Sequence, residues 1–184
     1  MVLKKQFPKR LLVLNGVFTG VYWVGSLLFF ESLPDRIPAH FTLSGEPTRF
    51  TEETAIYWFL GPFITTILVL MIATIARWMK RAPMKFMNAP YKEKLPELPA
   101  DQREALELQI RITAGAVLHL SALWIILIFS GISVYQWTIA ASGSGFQLWL
   151  YQLFIAVAFV AVVMFLLAEL KRTLKHATSK PNTD

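Results

Sequence analysis

Cysteine is absent from all 184 residues, which removes disulfides, thiolate metal sites and cysteine nucleophiles together. Charge is also scarce. Asp, Glu, Lys and Arg make up 16% of the chain, where a soluble domain of average composition carries about 25%. No Gly-x-Ser-x-Gly, no His-Glu-x-x-His and no phosphate-binding glycine loop occurs, so the motifs of esterases, zinc proteases and P-loop enzymes are missing. Three histidines, His40, His119 and His176, fall in separate regions, and zinc sites draw heavily on His and Cys. These absences predict a protein without catalysis, metal or cofactor. What is plentiful is apolar: 55% of the residues, with positive mean hydropathy. That excludes a disordered chain.

The apolar residues collect in four blocks. Leu11 to Phe30 holds no Asp, Glu, Lys or Arg, and twelve of its twenty residues are Leu, Val or Phe. A helix of that length, at ~1.5 Å per residue, crosses the ~30 Å hydrocarbon core of a bilayer. It is too long for a signal-peptide core, so a retained first span is expected. The second block runs from Ala55 to Ala76, with Gly61-Pro62 near one end, where a kink or loose first turn is expected. The third, Ile112 to Ala141, exceeds a bilayer and must tilt or protrude. The fourth is Phe146 to Ala168. Only Ser142-Gly143-Ser144-Gly145 separates the last two, so they are antiparallel neighbours. The prediction is an all-α polytopic membrane protein: a bundle of four transmembrane helices with a cap between the first two.

The bases are distributed unevenly. Four precede the first span (Lys4, Lys5, Lys9, Arg10), eight lie between Arg77 and Arg111, and four follow the last span. The loop 31–54 has only Arg36 and Arg49. Sixteen against two places both termini and the 77–111 loop in the cytoplasm, by the positive-inside rule, and the 31–54 loop outside. The organisation expected is 1–76 with two spans and the outer loop, a partly helical cytoplasmic loop 77–111, two spans within 112–168, and a cytoplasmic tail 169–184. The net charge of +6 then reports topology and attraction to anionic lipid, not nucleic-acid binding. Tyr57, Trp58, Tyr135, Trp137, Trp149 and Tyr151 are expected at the outer interface and Trp78 at the inner one. Asp101-x-x-Glu104 has capping-box character, with Pro96 and Pro99 discouraging an earlier helix start.

The outer loop is stiff by composition. Pro34, Pro38 and Pro47 each fix a φ angle, and Gly45 is free to take a positive φ in a turn. Asp35, Arg36, His40 and Glu46 supply polar groups and Phe41 an apolar contact. The run Leu33-Pro34-Asp35-Arg36-Ile37-Pro38-Ala39-His40-Phe41, followed by Gly45-Glu46-Pro47, resembles the signature of the membrane proteins that carry a domain of unknown function called DUF1648. That family includes the SdpI-like immunity and signalling proteins. Asn88-Ala89-Pro90-Tyr91-Lys92 is similar to the Asn-x-Pro segment that follows the second span there, which marks Asn88, Pro90 and Lys92. The resemblance implies a bacterial multi-pass protein of the cell membrane.

Two polar residues, Asn15 and His119, fall inside spans, where polar groups are costly and draw attention as functional sites. The expectation is an interhelical hydrogen bond. Gly16-x-x-x-Gly20 would permit close helix approach, in the bundle or in a dimer. Taken together, the sequence predicts a membrane protein whose outer loop recognises a peptide or other ligand, in an immunity or signalling role. The alternative is a small transporter, or a transporter subunit, working through Asn15 and His119. Expected partners are the bilayer, an extracellular peptide or toxin, a cytoplasmic protein, and a second copy of the chain.

Overall fold

The structure, a computed structural model, describes residues 7–42, 45–52, 54–89, 92–142 and 148–179. Lys4, Lys5, Pro90, Tyr91, the link Gly143-Ser144-Gly145 and Lys180 lie outside the described residues, as do the side chains of Trp149, Tyr151 and His176.

Helix α1 covers Phe7–Phe30, and Pro8 sits in its first turn, where a missing N–H costs nothing. Two short strands follow, β1 at Ile37–Phe41 and β2 at Pro47–Thr51. Helix α2 then runs over Thr54–Met79. Two 3₁₀ turns, at Met84–Phe86 and Lys92–Glu97, lead to α3, Ala100–Ser142. Helix α4 is Leu148–Ser179. All four helices are long and apolar enough to cross a membrane, and the molecule is an all-α, multi-pass membrane protein with one small β-hairpin.

The third helix is continuous for 43 residues, about 65 Å at the helical rise, roughly twice a hydrocarbon core. Its first turns carry Asp101, Arg103, Glu104 and Glu107, which are exposed or half-buried, and the apolar stretch follows without a break. The helix begins at Ala100, with the Arg103 N–H donating to the Pro99 carbonyl at 2.9 Å. Asp101 therefore lies inside the first turn and not at the cap. Its charge suits the positive helix N-terminus all the same. The helix starts directly after Pro99 and no earlier, and a proline just ahead of a helix lacks only an N–H that the first turn does not use.

Helix α3 is the axis of the bundle, packing against α1, α2 and α4. Apolar clusters climb along it. Leu106 and Ile110 join Ala82, Met87, Leu95, Leu170 and Leu174 at one end. Ile112 and Ala116 meet Leu11 and Leu166, and Ala122 and Ile126 meet Val69 and Ile72. At the far end Tyr135 and Ile139 pack with Phe41. Outside this axis the helices present large apolar side chains. Val13, Val17, Val21 and Leu28 on α1, and Phe154, Val157 and Met164 on α4, are mostly exposed. In a membrane these positions meet lipid.

The Gly61-Pro62 pair leaves α2 unbroken. A Cβ on Gly61 would collide with the Tyr22 hydroxyl, so this glycine admits a neighbour. By contrast, nothing lies within 4 Å of a Cβ built at Gly16 or Gly20; the small-residue pair makes no close helix contact within the chain.

Candidate functional site: a clamped hairpin cap

The loop between α1 and α2 is an antiparallel hairpin, with Ile37 opposite Thr51, Pro38 opposite Phe50, His40 opposite Arg49 and Phe41 opposite Pro47. The register slips on both sides of His40. Such bulges twist a strand and re-aim side chains. At the turn Gly45 has φ 92°, the left-handed region that favours glycine. Its N–H donates to the Thr42 carbonyl at 3.0 Å, and the Thr42 N–H to the Glu46 carbonyl at 2.9 Å.

Three consecutive residues of α3 fasten this hairpin. The Tyr135 hydroxyl donates to the Gly45 carbonyl at 2.6 Å. Gln136 Nε2 donates to the Pro38 carbonyl at 2.9 Å. The Trp137 indole N–H donates to Ser32 Oγ at 3.0 Å, just before the cap. The Phe41 and Tyr135 rings meet at 5.3 Å between centroids. From α2, the Thr54 hydroxyl donates to the Asp35 carbonyl at 2.9 Å. Below the cap, the Trp58 indole reaches the Ser26 carbonyl at 2.7 Å, and the Tyr22 hydroxyl bridges to Ser133 Oγ at 2.7 Å and the Phe129 carbonyl at 3.0 Å. Most of these bonds join a side chain to a backbone carbonyl. They hold the path of the cap and leave its own charged side chains unspent.

The sequence-marked residues divide into two sets. Pro38 and Gly45 are buried, Pro47 is half-buried, and Phe41 packs on Tyr135. Pro34, Asp35, Arg36, His40 and Glu46 are exposed. Pro34, Asp35 and Arg36 line an open groove of about 780 Å³ with Glu52, Thr54 and Ile56. His40 and Glu46 stand apart, on the hairpin. Among the described residues the His40 side chain makes no hydrogen bond. Arg36 pairs with Glu52 at 3.8 Å, both well exposed, so the pair adds little stability. Arg49 and Phe50 are exposed as well. Arg49 Nη2 donates to the Tyr57 hydroxyl at 2.9 Å, and its guanidinium lies 5.9 Å from that ring's centre.

Trp58 and Tyr135, expected at the outer interface, are buried and serve as joints between elements. Their N–H and O–H groups would satisfy either setting, and no spacing rule separates the two. Trp78, 57% exposed, does stand at an open helix end.

The intramembrane pair also meets. Asn15, fully buried on α1, donates through Nδ2 to the His119 carbonyl of α3 at 2.9 Å. The contact uses the His119 backbone. Asn15 Oδ1 and His119 Nδ1 are buried without a partner.

At the basic end, Asn88 is exposed, and the Lys92 ammonium donates to the Met87 carbonyl at 3.0 Å and the Lys85 carbonyl at 3.4 Å. Arg111 donates to the carbonyls of Met79 and Ala82 at 2.9 and 2.6 Å, the first an orphan carbonyl at the end of α2 and the second just beyond it. Among the described residues no group of three or more His, Cys, Asp and Glu side chains is placed to hold a metal ion.

Comparison with known proteins agrees with this geometry where it is most distinctive. An uncharacterized protein of Archaeoglobus fulgidus is 32% identical over 84 residues, 45% of this chain and 45% of that protein. The chain thus spans about half the length of the relative it matches. No solved structure matches with significance. The family model described as a domain of unknown function, DUF1648, matches residues 17–66, from mid-α1 through the hairpin into α2. That segment, with the clamped cap at its centre, is the part of this membrane protein that matches the DUF1648 model.

Proposed function

We propose that the cap is a preorganised binding surface for a polar or charged peptide on the outside of the cell membrane, in an immunity or signalling role without catalysis. One observation carries this reading. Tyr135, Gln136 and Trp137 fix the cap, while Asp35, Arg36, His40 and Glu46 are exposed. A surface fixed in advance binds with less ordering cost. Asp35 and Arg36 supply charge at the groove. His40 and Glu46 offer a donor–acceptor pair on the hairpin.

The orientation rests on the split of sixteen bases against two. The cysteine-free chain makes it easy to test. Glu46→Cys is expected to react with an impermeant maleimide in intact cells, and Asn88→Cys only after lysis. The reverse pattern overturns the topology. For function, a sensitive host expressing the full chain is challenged with membrane-active peptides, then again with His40→Ala and Arg36→Ala. Survival that depends on the protein and falls with these substitutions supports the reading. Equal survival with and without the intact protein rejects protection against those peptides.

A second reading, a small transporter or transporter subunit, draws on the unpartnered Asn15 Oδ1 and His119 Nδ1. Buried polar atoms without partners are rare and call for a reason. Flux in proteoliposomes that is lost in His119→Leu would favour it. An Asn15 and His119 pair that only locks helices would show lost stability and no flux.

A further inference from the structure

Beneath the cap, α1, α2 and α3 enclose a cleft of about 260 Å³. Its walls include Val21, Gly25 and Phe29 of α1, Trp58 of α2, and Val134 and Trp137 of α3. Three features set it apart from an ordinary seam between helices. The first is its rim: Val21, Phe29 and Val134 are 64%, 48% and 54% exposed, so the mouth opens sideways, on the lipid-facing surface. The second is its open back. A Cβ on Gly25 would meet nothing within 4 Å, so among the described residues no side chain fills the space. The third is Ser26, which also lines the cleft. It is only 3% exposed, yet among the described residues its hydroxyl has no partner. Helix hydroxyls elsewhere, in Thr19, Thr66, Thr74, Ser121, Thr138 and Thr173, each donate to the carbonyl four residues earlier. Ser26 does not, nor does the buried Thr65 of α2, and a buried hydroxyl left unpaired is costly.

From these features we infer that the cleft is a binding site for one acyl chain of a membrane phospholipid, drawn from the leaflet on the cap side. The shape fits. From Val21 to Phe29 the wall rises about 12 Å along the helix, close to one leaflet's share of a ~30 Å core. The occupant enters from hydrocarbon, because the exposed rim is apolar and lies within spanning helices. The chain end meets apolar walls, and the ester end lies toward Ser26 and the cap, where the free hydroxyl can donate to a carbonyl oxygen. Trp137 belongs both to the cleft wall and to the tether on Ser32, so a filled cleft supports the cap from below. This site is separate from the peptide-binding surface proposed above and stands without it.

The test uses the full chain in vesicles of phosphatidylethanolamine and phosphatidylglycerol doped with a phospholipid that carries a diazirine on its acyl chain. After irradiation, labelled positions are located by peptide mass spectrometry. Label is expected to concentrate at Val21, Gly25, Phe29 and Val134, above its level at the comparably exposed Val157 and Val160 of α4. Gly25→Leu, which fills the open back, is expected to cut cleft labelling about tenfold, a change of ~1.4 kcal/mol in occupancy, with α4 labelling unchanged. Should that variant fail to fold, Val21→Trp closes the mouth from an exposed rim position and is expected to act the same way. Label spread in proportion to exposure would overturn the inference, as would cleft labelling indifferent to these substitutions. Protection of the cleft accompanied by crosslinks to a second copy of the chain would overturn it too.

Discussion

The two ends of the molecule are secured by opposite means. At the cap end, neutral side chains from α3 and α2 donate hydrogen bonds to the carbonyls of a short hairpin, and the hairpin's own charges face outward. At the basic end, the cations themselves are the fasteners. Arg111 closes the last turn of α2 and Lys92 grips the Met84–Phe86 turn, over a cluster of eight buried apolar residues. One end spends its polar groups on holding shape; the other keeps them in reserve. The contrast teaches where substitutions will cost stability and where they will cost recognition.

The largest effect is expected at the basic end. Leu174 is fully buried in the apolar cluster, and Leu174→Ala should destabilise by about 2–5 kcal/mol, read as a lower melting temperature in detergent. A loss under half a kilocalorie would show that the cluster is not a core. Next comes Arg111→Met, which strands two carbonyls that now receive charge-assisted bonds. It should cost about 1.5–3 kcal/mol, with faster amide exchange between Arg77 and Ala82. At the cap end, Tyr135→Phe and Gln136→Leu each remove one hydrogen bond, worth about 0.5–1.5 kcal/mol. Their effect should be local, with exchange rising in the two strands and the helices unchanged. Global unfolding in either variant would mean that the cap is part of the main core. The smallest stability effect belongs to His40→Ala, expected within about 0.5 kcal/mol of wild type. If His40→Ala destabilises as much as Arg111→Met, the contrast between the two ends fails.

The four spanning helices were legible because long charge-free runs have few other physical outcomes. The run-on of α3 was legible too. Ala105, Leu108 and Ile112 keep helical spacing across the change from charged to apolar surroundings. The strands were harder to see. Each has five residues, and prolines at 38 and 47 sit inside them, where proline is tolerated only at edges, starts and bulges. The clamp was invisible for another reason. Tyr135 and Trp137 have the same amphipathic character whether they face headgroups or a neighbouring loop, and a lone Gln136 advertises no partner. Gly61 was read beside Pro62 as the site of a kink or loose first turn; its part in admitting the Tyr22 hydroxyl went unseen. In each miss the deciding atom belonged to an element distant in sequence.

Helix α3 joins Arg111, at the collar of one surface, to Gln136, at the latch of the other, as one uninterrupted shaft about 37 Å long between those residues. A rod without a joint cannot absorb axial displacement. A slide imposed where the hairpin is latched is therefore carried along the shaft toward the opposite collar.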